Sequence, residues 1–311
     1  MRIVFFGSSQ FAVPALEALL RAGHEISCVI TQPDKKQGRG MRLAPTPIKK
    51  IAISSKLKIY QPSEINTPET IKLLKNLNPD LFVVIAYGQF LAEEILNIPR
   101  ILPINLHASI LPKYRGAAPI NWAIINAEKK TGNSIIKMVK KMDAGPILFQ
   151  EETKIADNET VISLEERLSH MGVALLLISI DAIASGIYNL LAQNESKVTF
   201  APRLKKSDGL IDWGKPAQDI YNLIRGCLEW PGAFTYYKGK ILKVFQAQVI
   251  RTLNKHTPGE LVNVSSKGLS LGTGKGILLV KELQIEGKRR MSAQEFLIGY
   301  KPSIGDILGK K

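Results

Sequence analysis

Apolar residues fall into short runs divided by glycine- and proline-rich turns, and the first of these runs set a strand, turn, helix rhythm. Arg2 to Phe6 is an apolar run closed by Gly7. The stretch AVPALEALLRAG then carries Leu16, Leu19 and Leu20 at helical spacing, with Gly23 as its stop. That succession opens a doubly wound sheet. EISCVITQP predicts a second strand, and KIYQP and DLFVVIAYG two more, the last apolar throughout, as in a strand buried on both faces. The runs INLH, SIIKMVKKM and PILFQEETKI extend the sheet. The segment from Glu159 to Ser185 predicts a long helix with Leu164, Leu168, Met171, Leu175 and Ile178 on one side.

After residue 186 the pattern changes to polar and extended, NLLAQNESKVTFAPRLKKS, which predicts a linker over 187–207 stiffened by Pro202 and facing its partner with basic neighbours. IDWGKPAQDIYNLIRGC beyond it predicts one helix, and FTYYKGKILKVFQAQVI a hairpin across Lys238 and Gly239. Short strands with glycine turns follow and suit a small antiparallel barrel. GTGKG lacks the remaining spacing of a phosphate loop and reads as a turn between strands. Trp213 and Trp230 are expected as buried anchors. The chain thus divides into an α/β domain over 1–186, a linker over 187–207, and an OB-like β-barrel over 208–311.

Composition narrows the function classes. The 311 residues are 45% hydrophobic and 22% charged, enough for two sizeable cores. The longest apolar run, VALLLISIDAIA, is interrupted by Asp181 and no bilayer-spanning segment is expected; the first residues also lack the features of a signal peptide. A cytoplasmic protein with no membrane partner is the expectation. Cys28 and Cys227 make neither a disulfide framework nor a metal pair, and the four histidines are scattered, which predicts no metal. GSSQFA lacks the G-x-G-x-x-G of a dinucleotide site, which disfavours a nicotinamide dehydrogenase.

Charge adds a partner. The net charge is +15, with 20 Lys and Arg against 9 Asp and Glu in residues 197–311, and 22 against 18 before them. An excess so placed points to a polyanion bound by the carboxyl-terminal third, nucleic acid being the commonest. Between Pro33 and Lys50 lie Lys35, Lys36, Arg39, Arg42, Lys49 and Lys50 against Asp34 alone, with Gly38 and Gly40 among them. Such a segment predicts a mobile loop that closes on a phosphate-bearing ligand.

The candidate chemistry lies in INLHASILPKYRGAAPI, residues 104–120. Asn105 and His107, two apart in a strand, emerge on one face while Leu106 points to the other. They sit at the carboxyl end of that strand, where open α/β sheets bind ligands. Asp143 in MKKMDAGPIL is the acidic partner, in a turn after SIIKMVKKM. An amide donor for an oxyanion, an imidazole and a carboxylate make a workable acyl-transfer site, and an amine acceptor removes the need for a Ser or Cys nucleophile.

NLHASILPKYRGAAPI followed by MDAG closely resembles the 10-formyltetrahydrofolate-dependent formyltransferases, whose catalytic Asn, His and Asp match Asn105, His107 and Asp143. FFGSSQFAVPALEAL, TQPDKKQGRGMRLAPTPIK, VVIAYGQFL and MSAQEFL extend the likeness nearly end to end. TGNSIIKM departs mildly, at a place outside the proposed chemistry. The resemblance implies a Rossmann-like formyltransferase domain and transfer of the formyl group of 10-formyltetrahydrofolate to the methionine α-amino group of initiator methionyl-tRNA. It also implies that Ser109, Ile110, Leu111 and Pro112 line the folate side, and that the basic loop, with Arg39 in the matching position, meets the acceptor arm. Tyr87 and Gly88 either shape the folate pocket or make a tight turn. Lys35, Lys36, Arg42, Lys205 and Lys206 complete the expected tRNA contacts, and a monomer is expected. A formyltransferase for a small amine, glycinamide ribonucleotide or an amino sugar, is the nearest alternative, and the basic second domain speaks against it.

Overall fold

The structure is a computed structural model that describes residues 1–37 and 42–309. In chain order its strands are β1 (Arg2–Gly7), β2 (Glu25–Ile30), β3 (Lys35–Gln37), β4 (Arg42–Ala44), β5 (Ile59–Tyr60), β6 (Leu81–Ile85), β7 (Leu102–His107), β8 (Lys130–Lys137), β9 (Ile147–Lys154), β10 (Ala233–Tyr237), β11 (Lys240–Ile250), β12 (Leu261–Ser265), β13 (Gly268–Gly272), β14 (Ile277–Ile285) and β15 (Met291–Ser292). The helices are α1 (Val13–Arg21), α2 (Pro47–Ser54), α3 (Pro68–Asn76), α4 (Glu93–Leu96), α5 (Pro119–Ile125), α6 (Val161–Ser185), α7 (Ala217–Gly226) and α8 (Ala293–Tyr300). They form two compact units: Met1–Gly116, Lys130–Thr153 and Glu165–Ala201 in one; Ala117–Lys129, Lys154–Leu164 and the chain from Pro202 onward in the other.

The first unit is built on a seven-stranded sheet of order β5-β2-β1-β6-β7-β8-β9. From β5 to β7 neighbouring strands are parallel, and β8 runs antiparallel to β7. The chain lays β2 and β5 to one side of β1, then crosses to lay β6 and β7 on the other, the doubly wound arrangement anticipated from the opening residues. All five residues of β6 are buried, in keeping with its unbroken apolar run. Phe6 meets Phe82 and Tyr87 edge-on, with centroids 4.9 and 5.5 Å away; each such ring contributes about 1.5–3 kcal/mol by leaving water. Helices α2 and α3 start alike. Thr46 and Thr67 accept from the N–H groups of Lys49 and Thr70 at 3.1 and 3.3 Å, and Pro47 and Pro68 occupy the first turn, where a missing N–H costs nothing.

In this unit the structure departs from the expected pattern at several places. The basic segment is not one loop: β3 and β4 pair as a ribbon, and Lys49 and Lys50 lie in α2, with Lys49 Nζ 2.7 Å from Asp34. Strand β8 stops at Lys137, short of the expected MVKKM: the Met138 N–H still reaches the carbonyl of Pro103 on β7, but proline has no N–H to return and the ladder ends there. On α6, Leu164, Leu168 and Leu175 are buried as anticipated, but Ile178 is 55% exposed and Leu176, Ile180 and Ile183 take its place. By length and composition α6 is also apolar enough to cross a bilayer, which the sequence reading did not anticipate. Its buried leucines pack in the protein core.

The second unit holds a six-stranded antiparallel sheet along the path β10-β11-β14-β13-β12, with β15 beside β14. The hairpin turn falls at Lys238 and Gly239, both at positive φ, which matches the twist of the flanking strands. Trp213 anchors the core and donates from Nε1 to Thr235 Oγ1 at 3.0 Å. Trp230, expected to be a second anchor, is 58% exposed, and its Nε1 meets the Leu204 carbonyl at 3.3 Å. Helix α5 packs on α7 in this unit; Asn121 donates to the Gly226 carbonyl at 2.8 Å.

Candidate active site

The alternation of β7 decides what its last side chains meet. Leu106 turns toward α6, where a Cβ added at Gly172 would lie 2.7 Å from its Cδ2. Asn105 and His107 emerge on the other face. His107 is buried, and its Nε2 lies 2.9 Å from the carbonyl oxygen of Tyr114. A carbonyl only accepts, so Nε2 carries a hydrogen and Nδ1 is the nitrogen left to gain or lose a proton.

Asp143 faces both residues. Its Oδ2 is 3.7 Å from His107 Nδ1, and its Oδ1 receives a long hydrogen bond of 3.5 Å from Asn105 Nδ2. The Gly116 N–H holds Oδ2 more tightly, at 2.8 Å. One Asn105 N–H thus stays available to a ligand. The carboxylate arrives from a turn rather than a strand end: Asp143 has φ +48°, a left-handed conformation that Asp tolerates better than most residues. Two residues on, a Cβ at Gly145 would stand 1.7 Å from the Lys137 carbonyl oxygen, so only glycine lets the turn pass the end of β8.

The expected folate-side residues adjoin this triad. Ser134 Oγ, buried on β8, donates to the Ser109 carbonyl at 2.6 Å and accepts from the Leu111 N–H at 3.1 Å. Gln150 donates to the Leu111 carbonyl at 2.9 Å, and Leu111–Pro112 is cis. Ser109 and Leu111 are buried; Ile110 and Pro112 are half-buried. Asn105 is the ladder partner of Val84 in parallel register, which puts Tyr87 and Gly88, just beyond the end of β6, at the same carboxyl end of the sheet. Ser8 Oγ donates to the Tyr87 carbonyl at 2.9 Å, and burial pushes the Tyr87 phenol well above its ordinary pKa. Space is open above Gly88, where the atom nearest an added Cβ is Gln32 Cγ at 3.9 Å.

The expected tRNA contacts lie elsewhere. Lys35, Lys36 and Arg42 are exposed on the β3–β4 ribbon of the first unit, and Lys205 and Lys206 are exposed in the second. Arg39 lies outside the described residues.

Sequence reasoning missed the support behind the triad. Arg115, 2% exposed, donates from Nε and Nη2 to Gln193 Oε1 at 3.0 and 2.8 Å and from Nη2 to Glu195 at 2.8 Å. Those bonds, from Arg115 first and then Lys141, hold the Glu195 carboxyl below its ordinary range. The segment expected as a linker is therefore tied down over part of its length, where Thr199 also meets Tyr114 and Arg115. Nothing in its local sequence marks Gln193, and Arg115 stood in the motif with no role assigned to it. Among the described residues no group of His, Cys, Asp and Glu is arranged to hold a metal.

An amide, an imidazole and a carboxylate on a ligand-binding edge suit transfer of an acyl group to an amine, and residues 1–180 match the Formyl transferase family while residues 203–301 match Formyl transferase, C-terminal domain. The chain belongs to the formyl transferase family, and it is an enzyme. Over 310 residues, 100% of both chains, it is 43% identical to the methionyl-tRNA formyltransferase of Alkaliphilus oremlandii. It is 42% identical over 311 residues, again 100% of both, to that of Acetivibrio thermocellus. Among solved structures it is similar in fold to WlaRD, a sugar 3N-formyl transferase crystallised with dTDP and 5-N-formyl-THF: TM-score 0.68, 20% identity, 93% of this chain and 99% of that one.

Proposed function

We propose that the enzyme moves the formyl group of 10-formyltetrahydrofolate to the α-amino group of methionine on initiator tRNA. The observation that carries this is the meeting of Asn105 and His107 at the two oxygens of Asp143, in a chain alike from end to end to enzymes of that name. The uncharged amine attacks the formyl carbon. As charge builds on the formyl oxygen, the spare Asn105 N–H and the protonated Nδ1 of His107 donate to it. Asp143 pairs with the imidazolium and takes the amine's proton, directly or through water, then passes it to the departing nitrogen as that nitrogen's bond to the formyl carbon breaks.

The donor brings the activated formyl group; this chain brings the surface that holds it. Ser109, Ile110, Leu111 and Pro112 line one side, with Tyr87 and Gly88 on another. These residues fit such a ligand, because the Gln32 amide nitrogen beside Gly88 is buried with no partner among the described residues, and a ligand with acceptors of its own would satisfy it. Residues 1–186 act as the catalytic domain and 208–311 as a tRNA-binding domain, with 187–207 leading from one to the other, its first part through Ala201 folded into the catalytic unit. Lys35, Lys36, Arg39, Arg42, Lys205 and Lys206 meet phosphates and position the acceptor end without reading it. The enzyme works as a monomer in the cytoplasm.

The test is release of tetrahydrofolate from 10-formyltetrahydrofolate with charged initiator tRNA, glycinamide ribonucleotide and an amino sugar offered in parallel. Turnover with the tRNA alone supports the reading. Comparable or better turnover with either small amine overturns it.

A further inference from the structure

Asp143 is the member of the triad with the least local support. It stands in a left-handed turn, six residues beyond the end of β8, so its strand does not position it. What does is a segment some fifty residues later. The Gln193 amide nitrogen donates to the Asp143 carbonyl at 2.8 Å and to the Gly145 carbonyl at 2.7 Å. One side chain thereby spans the turn. At its other end, Gln193 Oε1 is gripped by two N–H groups of the Arg115 guanidinium, a bidentate hold that fixes the amide's orientation as well as its place. The residue after Arg115 is Gly116, whose N–H holds the Asp143 carboxylate.

Arg115 is therefore joined to Asp143 by two routes, through Gln193 to the main chain and through Gly116 to Oδ2. A buried guanidinium cannot exchange these partners for water without a large cost, and its Nη1 already lacks a partner among the described residues. Gly116 is held in turn: at φ +128°, an added Cβ would come within 2.5 Å of the Ala201 carbonyl oxygen. All of these groups lie in one compact unit.

We infer that Gln193, oriented by Arg115, is a positioning residue that sets the place of the Asp143 carboxylate against Asn105 and His107, and so governs turnover rather than substrate binding. This rests on the assignment of Asp143 above. It gives the segment 187–201 a part in the chemistry of the first unit, apart from any contact with tRNA.

Gln193→Glu separates anchoring from positioning. A carboxylate there keeps an acceptor for Arg115 and adds an ion pair, but loses both donors to the turn and sets oxygen against the carbonyls of Asp143 and Gly145. The variant is expected to keep its thermal midpoint and its KM for both substrates within twofold, while kcat falls roughly tenfold to a hundredfold, the scale of a misplacement near 1 Å. Placed on Asp143→Ala, it should lower the residual rate less than twofold, since residues acting through one another do not multiply. If it loses its fold, Gln193→Leu is put through the same measurements. A folded Gln193 variant with kcat within twofold of the parent overturns the inference, as does full multiplication with Asp143→Ala. An Asp143→Ala enzyme with near-normal turnover overturns the earlier assignment instead, and is told apart because it needs no change at Gln193.

Discussion

The end of β7 and the β3–β4 ribbon, both in the first unit, are held in opposite ways. At the end of β7 the triad region is braced by hydrogen bonds to side chain and main chain alike: His107 by the Tyr114 carbonyl, Asp143 by the Gly116 N–H and, at its main chain, by Gln193, and the main chain of Ser109 and Leu111 by Ser134 and Gln150. Among the described residues the ribbon's two strands pair only with each other, and Lys35, Lys36, Arg42 and Leu43 are exposed. Its firm point is at the base, where hydrogen bonds from Gln61 and then Lys49 keep Asp34 below its ordinary pKa. Precision is needed where atoms react. Where phosphates are met, charge at the right distance suffices.

The largest effects should follow from breaking the braced region. With Asn105 in the proposed role of a donor to the formyl oxygen, Asn105→Ala should lower turnover roughly a hundred- to a thousandfold with folate binding kept, measured by single-turnover formylation and analogue titration. His107→Ala and Asp143→Ala should cost at least as much, and the double variant no more than the worse single one. Full multiplication would separate the two.

Next in size is the turn itself. Gly145→Ala drives a Cβ against the Lys137 carbonyl, and relieving that clash should cost about 1–3 kcal/mol by urea unfolding as well as displacing Asp143. A stable, active variant would mean that the turn has slack that the structure does not show.

The ribbon should respond through salt rather than stability. Lys35→Glu with Lys36→Glu should weaken tRNA binding and lower the dependence of log Kd on log salt by roughly two, leaving folate binding and the thermal midpoint unchanged. An unaltered salt slope would remove the ribbon from the tRNA interface.

Smaller and more general effects come from titration and thiol chemistry. Asp34, Asp80, Glu195, Glu295 and Asp306 are all held below their ordinary pKa by hydrogen bonds or cations. A depressed carboxylate stabilises the fold fully above its unfolded pKa and ceases to do so as pH falls through the folded one. The thermal midpoint should therefore decline below the usual carboxylate range. Burial pushes Cys28 up to about 11 and Cys227 up to about 12, so neither should react with a thiol reagent at neutral pH until the protein unfolds.

Features that repeat over a few residues could be read along the chain. Period two placed Asn105 and His107 on one face of β7, an unbroken apolar run buried β6, and Lys238 with Gly239 turned a hairpin, because each of these depends only on neighbours along the chain. The long motif from Asn105 to Ile120 carried the family, which the match over residues 1–180 bears out. Tertiary structure alone decided the rest. Ile178 faces solvent while Leu176 is buried, because the side of α6 that meets the core is chosen by what packs on it, not by the helix. Trp230 is exposed although its composition suits a core. The hold of Arg115 on Gln193 joins residues 78 apart in a stretch read as linker, and the place of Asp143 follows from it. Hydrogen bonds of that reach leave no periodic trace, because chain separation puts no constraint on which two polar side chains meet until the sheet and its turns have brought them together.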